Sequence, residues 1–352
     1  MLSEFFELSF NHLTKFGFEY NKIEFKVEQI KSYRSKHHYR AIKIKVIVDD
    51  VTFVTVDIPE LIDHFFILNG AKYIPSIYIV DLPISIKKNS ISLYSLFNPV
   101  SIYVAKKYIV LGGGNIDMSR FFRFFYDEEE AKAILETFEA EYKLEDEAVI
   151  LSSFSKIFNV APNREVIRQR FDDLFLDDWT KELYTSIYDQ PINSFKDILD
   201  ITIRKYTYED KPSFIDLHYK RLVFIELLLS PLFKSVSDAI KDITLKNKSV
   251  YKLSLEANSI IKNFVTKLTG NFLFSECNGF SGTSSLKASF KHPSTKTELP
   301  KSVSDIHPTF KGRICSTSIS NKAPGVNIHL IANQNVNLRT GTFEFDPEEE
   351  KP

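Results

Sequence analysis

The sequence predicts an α+β fold, with strands first and helices after, on three observations. Residues 39–60, YRAIKIKVIVDDVTFVTVDIPE, alternate in polarity and are rich in Val and Ile around a central Asp-Asp pair, the pattern of a β-hairpin. A second β-rich run extends from Phe65 to Val104, punctuated by Asn69-Gly70 and by Pro75, Pro83 and Pro99. From Asp127 the period changes: DEEEAKAILETFEAEYKL places Ala131, Ile134, Leu135 and Phe138 at helical spacing.

Each later segment follows from the same signals. VLGGGN at 110–115 follows a strand-like run and reads as a tight turn, since no Lys-Ser/Thr pair follows and the glycines lack dinucleotide spacing. The clustered Glu128, Glu129 and Glu130 suit a helix N-terminus. Between Asp127 and Glu147 ten carboxylates stand against two lysines, a run best explained by a solvated helix face. The helical pattern continues to about residue 210. FIDLHYKRLVFIELLLSPLFKSVSDAI predicts an apolar helical pair broken at Pro231, and ANSIIKNFVTKLTGNFLF a further helix. From Ser281 to Thr340 the chain is loop-like, and eight Lys and Arg outnumber Glu298 and Asp305 for a local charge of +6. The total of −1 over 352 residues therefore hides an acidic middle and a basic last third. Such a basic, polar stretch suits contact with phosphates.

The length allows two or three domains, and 43% hydrophobic residues with abundant Phe and Tyr exclude a disordered chain. Two cysteines, Cys277 and Cys315, point to a reducing compartment and are expected as small buried residues. The first twenty residues lack the pattern of a signal peptide, and no run is long and apolar enough for a membrane span.

No catalytic signature in the sequence is complete. His37, His38, His64, His218, His292, His307 and His329 show no zinc-ligand spacing, and no G-x-S-x-G elbow occurs. Asp172-Asp173 and Asp177-Asp178, followed by Trp179, are expected as solvated carboxylates without a partner motif. Two-metal phosphoryl transfer needs a converging carboxylate cluster, which the sequence does not offer. The residues read as a protein that touches a polyanion or other proteins.

One stretch is more specific. DIHPTFKGRIC, 305–315, resembles the DVHPTHYGRVC stretch of the β subunit of cellular multisubunit RNA polymerases. NIHLI, 327–331, resembles that family's NIGLI, and LKAS, 286–289, its ISAL. DIPELIDHFFILNGAKY, 57–73, is similar to GDIPLMTENGTFIINGAER, and DLHYKRLVFIELLL, 216–229, to the D-x-D-H-x-G-N-K-R stretch with the following GELL. These segments fall in the family's order. There are departures. PIETPEGP is replaced by STSISNKAPG, with three more residues before the Asn-Ile pair, so the fork glutamate has no counterpart. Ser284-Ser285 stand for a double arginine, Lys296 for the arginine of TRERAG, and Lys72-Tyr73 for the last pair of GAER.

The pattern resembles the N-terminal piece of a split β subunit of the kind encoded by giant bacteriophages. That resemblance implies a protrusion-like domain formed by 1–105 and 212–280, a lobe-like domain at 106–211, and a fork with the start of the hybrid-binding region at 281–352. The chain would clamp downstream DNA and line the RNA–DNA hybrid in a nucleotidyltransferase. It would be inactive alone. It would bind no cofactor itself, Mg²⁺ being held by another subunit. Its partners would be the remaining β fragment, the β′ fragments, a promoter-recognition subunit where one exists, the DNA template and the hybrid, in the cytoplasm of an infected bacterium. Arg313, Lys287, Lys291, Lys296, Lys311 and His307 are the residues expected near nucleic acid or the active centre. A structural ion pair is the alternative for Arg313, and ordering of the turn the alternative for His307. Asp305, Pro308, Gly312, Asn69 and Gly70 are expected to support the structure. A rival reading is a stand-alone nucleic-acid-binding scaffold, or an inhibitor that binds a host polymerase.

Overall fold

The computed structural model describes residues 77–96, 98–111, 114–208, 213, 215–223, 290, 306–315, 330, 336–337 and 340–345, together with the backbone of strands between 24 and 73, at 287–289 and at 328–329. Mixed helices and mainly antiparallel sheets give an α+β fold. Two compact units are present, one of residues 81–213 and one of residues 1–80 with 214–352.

In the discontinuous unit, β1 (Glu24–Arg34) and β2 (His37–Val48) form a long antiparallel hairpin, Glu24 opposite Ile47 and Arg34 opposite His37. β3 (Val51–Thr52) returns along β2, with Val48 opposite Val51, so the Asp-Asp pair does sit between two strands. β4 (Ile58–Pro59) also pairs with β2. A small sheet follows, of β5 (Leu61–Ile62), β6 (Phe65–Leu68) and β7 (Ala71–Tyr73), with Leu68 opposite Ala71.

The continuous unit starts as a meander. The end of β8 (Ile77–Asp81) leads into β9 (Ile84–Lys87), β10 (Ser90–Leu93), β11 (Val100–Tyr103), β12 (Tyr108–Leu111) and β13 (Gly114–Asp117). The last five pair consecutively and antiparallel. Leu111 opposes Gly114, so the glycine run joins two neighbouring strands, as a tight turn does. Six helices follow among the described residues: α1 (Met118–Phe125), α2 (Glu128–Thr137), α3 (Glu147–Phe158), α4 (Arg164–Phe175), α5 (Asp178–Tyr188) and α6 (Phe195–Tyr208).

Local chemistry sets their ends. Asp127 and Glu130 form a reciprocal capping box at the start of α2, where three glutamates occupy the first turn. Asn163 caps α4, and α3 ends on Asn159 in the left-handed conformation. Helix α1 is buried at Phe121, Phe122, Phe124 and Phe125, so it lies inside the core rather than on it. Its rings meet Phe138, Phe154, Phe171 and Phe195, with Phe124 and Phe154 centroids 4.6 Å apart. Each fully buried phenylalanine of this kind contributes about 2–3 kcal/mol. The other side of this core is the apolar sheet face, including Ile91, Ile102, Ile109 and Ile116.

Three expectations change. The boundary falls at Asp81, not near residue 106, because strands β9–β13 share one core with the helices. Lys220–Val223, expected in a helix, is a strand, β14, beside β8, with Arg221 bridged to Thr342. A short apolar run does not distinguish strand from helix by period, and the sheet partner decides. Asp172 and Asp177 are not solvated. Asp177 is buried and caps α5 by accepting from Thr180 N–H at 2.9 Å, and Asp172 accepts from Phe195 N–H at 2.8 Å. Two further strands, β15 (Lys287–Ser289) and β16 (Ile328–His329), complete a sheet ordered β14-β8-β15-β16. The helices expected at 224–274 lie outside the described residues. Among the described residues no helix is long and apolar enough to cross a membrane.

Candidate nucleic-acid interface

The turn at 306–315 is built from its own sequence. Pro308 fixes the first residue of a 3₁₀ turn, Pro308–Phe310, and holds His307 extended at φ −97° and ψ 146°. The His307 ring accepts from Thr309 N–H at 3.4 Å and lies 2.8 Å from Thr309 Oγ1. Phe310 carbonyl accepts from Arg313 and Ile314 N–H at 3.0 and 2.9 Å, closing the turn. Gly312 sits at φ +70°, a conformation that glycine adopts without cost.

This turn anchors to segments far away in sequence. Thr309 Oγ1 accepts from Leu217 N–H at 3.1 Å, and Ile314 bridges Leu330. Leu217, Phe290, Phe310, Ile314 and Leu330 share one buried core with Ile79, Ile215 and Phe343. β15 pairs antiparallel with β16, Lys287 opposite His329, and parallel with β8, Ala288 opposite Ile77. Segments 216–223, 287–290, 306–315 and 328–330 therefore meet.

Arg313 is only 8% exposed. Its guanidinium donates to the carbonyls of Glu344 at 2.6 Å and Lys311 at 3.2 Å, and lies 3.9 Å above the Phe345 ring. Phe345 stacks in turn on His218, centroids 3.8 Å apart, and His218 Nδ1 is 2.9 Å from Asp216 Oδ1. A guanidinium, a phenyl ring and an imidazole thus form one pile, tying the turn to residues 216–218 and 344–345. The planar fork serves this geometry in a way an ammonium does not.

Lys311 and Pro308 are exposed and His307 half-buried, so Lys311 is the cation that the turn presents to solvent. Lys287 lies on β15, described in its backbone alone; Lys291, Lys296, Asp305, Asn69 and Gly70 lie outside the described residues. Cys315, expected to be buried, is half-buried and is not in a disulfide, while Cys277 lies outside. Sequence reasoning passed over Lys220 and Arg221, both buried in β14, and the Phe345–His218 stack. The signal for the first two was present: a Lys-Arg pair inside an apolar run must satisfy its donors within the protein. Among the described residues no cluster of His, Cys, Asp and Glu is placed to hold a metal ion. No protein-family model and no curated protein matches the chain.

Proposed function

We propose that the chain is the N-terminal piece of a split β subunit of a multisubunit DNA-directed RNA polymerase. In this reading the discontinuous unit contributes protrusion and fork, and the helical unit acts as the lobe. The observation that carries the reading is the convergence of four separated segments on one core. These are the segments similar to the family's D-x-D-H-x-G-N-K-R, ISAL, DVHPTHYGRVC and NIGLI stretches; the Thr309–Leu217 hydrogen bond and the Ile314–Leu330 bridge join three of them, and the ISAL-like segment joins through the pairing of β15 with β8 and β16. A chance match to four short motifs carries no requirement that they pack together. The insertion of residues 81–213 within the other unit also suits a lobe placed between two parts of a protrusion.

Mechanistically, the share of this chain is positional. Arg313 holds the turn rigid against residues 344–345, and Lys311 faces outward beside it, able to meet a phosphate of the hybrid or template. Nucleotide transfer and its metal ions belong to the partner subunits, and the chain alone is inactive. Affinity purification of the tagged chain from cells carrying its natural genome tests this. Stoichiometric companions bearing the rest of β and a metal-binding β′, with template-dependent RNA synthesis in the eluate, are expected. Recovery of the chain alone, or with a host polymerase and no new activity, overturns it.

A further inference from the structure

The meander of the helical unit has one face on the phenylalanine core and one face turned away from it. Pairing places Lys87, Ser90, Tyr103, Tyr108 and Asp117 opposite one another in a row across all five strands. Ser85, Ser92, Ser101, Val110 and Asn115 form the next row on the same face. Every residue in the two rows is half-exposed or exposed, while Ile91, Ile102, Ile109 and Ile116 of the row between them are buried and Ile86 at its edge is partly so. With strands about 4.8 Å apart, each row spans roughly 20 Å.

The Tyr103 and Tyr108 rings lie in the middle of the first row, centroids 5.0 Å apart and planes 31° apart. At the same end of the sheet the β9–β10 and β11–β12 turns are joined by Val104 N–H donating to Asn89 carbonyl at 3.0 Å. Those turns carry Lys87 and Lys88 on one side and Lys106 and Lys107 on the other, and the first three are exposed. The two aspartates nearby are already engaged. Asp81 accepts from Ser85 and pairs with Lys87 at 3.6 Å, and Asp117 pairs with Lys143 at 2.7 Å while capping α1.

We propose that this face binds single-stranded nucleic acid, with unstacked bases lying on the Tyr103–Tyr108 pair and phosphates following the lysine turns. Aromatic rings on an open, hydroxyl-bearing sheet face accept splayed bases, and the adjacent cations track a backbone. The serine rows offer donors and acceptors to base edges and lack the apolar wedge that a membrane surface would require. The inference rests on the register of this unit and is independent of the polymerase reading.

The test uses the full chain and a fluorescein-labelled oligothymidylate of roughly a dozen nucleotides, followed by anisotropy. Binding should weaken with salt and weaken roughly tenfold or more in K88E/K106E and in Y103L/Y108L. K156E/R168E changes charge equally on exposed positions of α3 and α4 and should bind as the unaltered chain does. Hydrogen exchange on the unaltered chain is a second readout that needs no folded variant. Protection on adding the oligonucleotide should appear at 86–92 and 101–110. Overturning results are protection confined to 306–315, equal loss in K156E/R168E, equal affinity for duplex, or preference for anionic vesicles. Protection confined to 306–315 would do so while leaving the polymerase proposal standing.

Discussion

Gly341 and Gly312 share a left-handed backbone, φ 77° and 70°, yet differ in what a methyl group would meet. At Gly312 a Cβ finds no heavy atom within 4 Å, so alanine there faces only the conformational cost, about 1 kcal/mol. At Gly341 the Cβ would sit 2.0 Å from the Leu222 carbonyl oxygen, and the two backbones must separate by about 1 Å. That separation breaks the bond from Leu222 N–H to Gly341 carbonyl, 2.8 Å, and strains Gly341 N–H to Asn337 carbonyl, 2.7 Å. At about 1 kcal/mol for each bond, added to the conformational cost, Gly341→Ala should lose about 3 kcal/mol. The readout must separate the two units. The one tryptophan, Trp179, is buried in the helical unit, so its fluorescence during urea unfolding follows that unit. Hydrogen exchange of peptides covering 215–223 follows the other. Gly341→Ala should speed exchange there by roughly two orders of magnitude and leave the Trp179 midpoint in place. Gly312→Ala should change exchange by roughly one order at most. Equal effects of the two substitutions would refute the close approach of Gly341 to β14.

Three other substitutions probe charges. Arg120 Nε and Nη2 each donate to Glu145 at 2.7 Å, which holds the Glu145 carboxyl below its ordinary range. Glu145→Gln should cost about 1 kcal/mol at neutral pH, since the pair is partly exposed. A lowered folded pKa stabilises above the ordinary carboxyl value of about 4.3, so the difference from the unaltered chain should vanish as pH falls through the folded value. Asp172 behaves oppositely: burial raises its pKa, with the Phe195 N–H bond opposing the shift. Its contribution is full below the ordinary value and is lost as pH rises through the folded one, so the advantage of Asp172→Asn over the unaltered chain should grow as pH rises from the ordinary value of about 3.9 through the folded one, read by Trp179 urea midpoints. Arg313→Lys keeps a charge but loses the fork on the Glu344 carbonyl and the stack on Phe345. It should speed exchange at 215–223 by about tenfold, and no change would show that the pile contributes nothing.

Much of the local architecture was legible because single residues dictate it. The Asp-Asp turn, the α2 capping box and the helical spacing of Ala131, Ile134 and Leu135 depend on neighbours within a few positions. The long β1–β2 hairpin was half-missed, because the alternation in EFKVEQIKSYR breaks at Gln29-Ile30 and its partner strand restores the pattern only once paired. β14 was misread for a related reason. Its apolar run suits either period, and only pairing with the distant β8, with the bridge from Arg221 to Thr342, selects a strand. Asp172 and Asp177 looked solvated since their partners, Phe195 N–H and the N–H groups at the start of α5, are aimed at them only once the helices have formed and packed.

The same reasoning limits what charge counting says about a binding surface. The basic excess lies after residue 281, yet Arg313 is buried there, and Lys220 and Arg221 are buried in β14. A buried cation must be paired or hydrogen-bonded within the protein, so these side chains add to the sequence charge without adding to the field that an incoming phosphate meets. The exposed lysines of the meander show the converse. Lys87, Lys88 and Lys106 are unremarkable in a running sum, and antiparallel pairing sets their turns side by side with two tyrosines between strands. A partner reads charge per area of surface, and area is assigned by strand register. Among the described residues the sheet face at 85–117 is therefore the denser grouping of exposed cations, apart from the 305–315 segment on which the polymerase proposal rests.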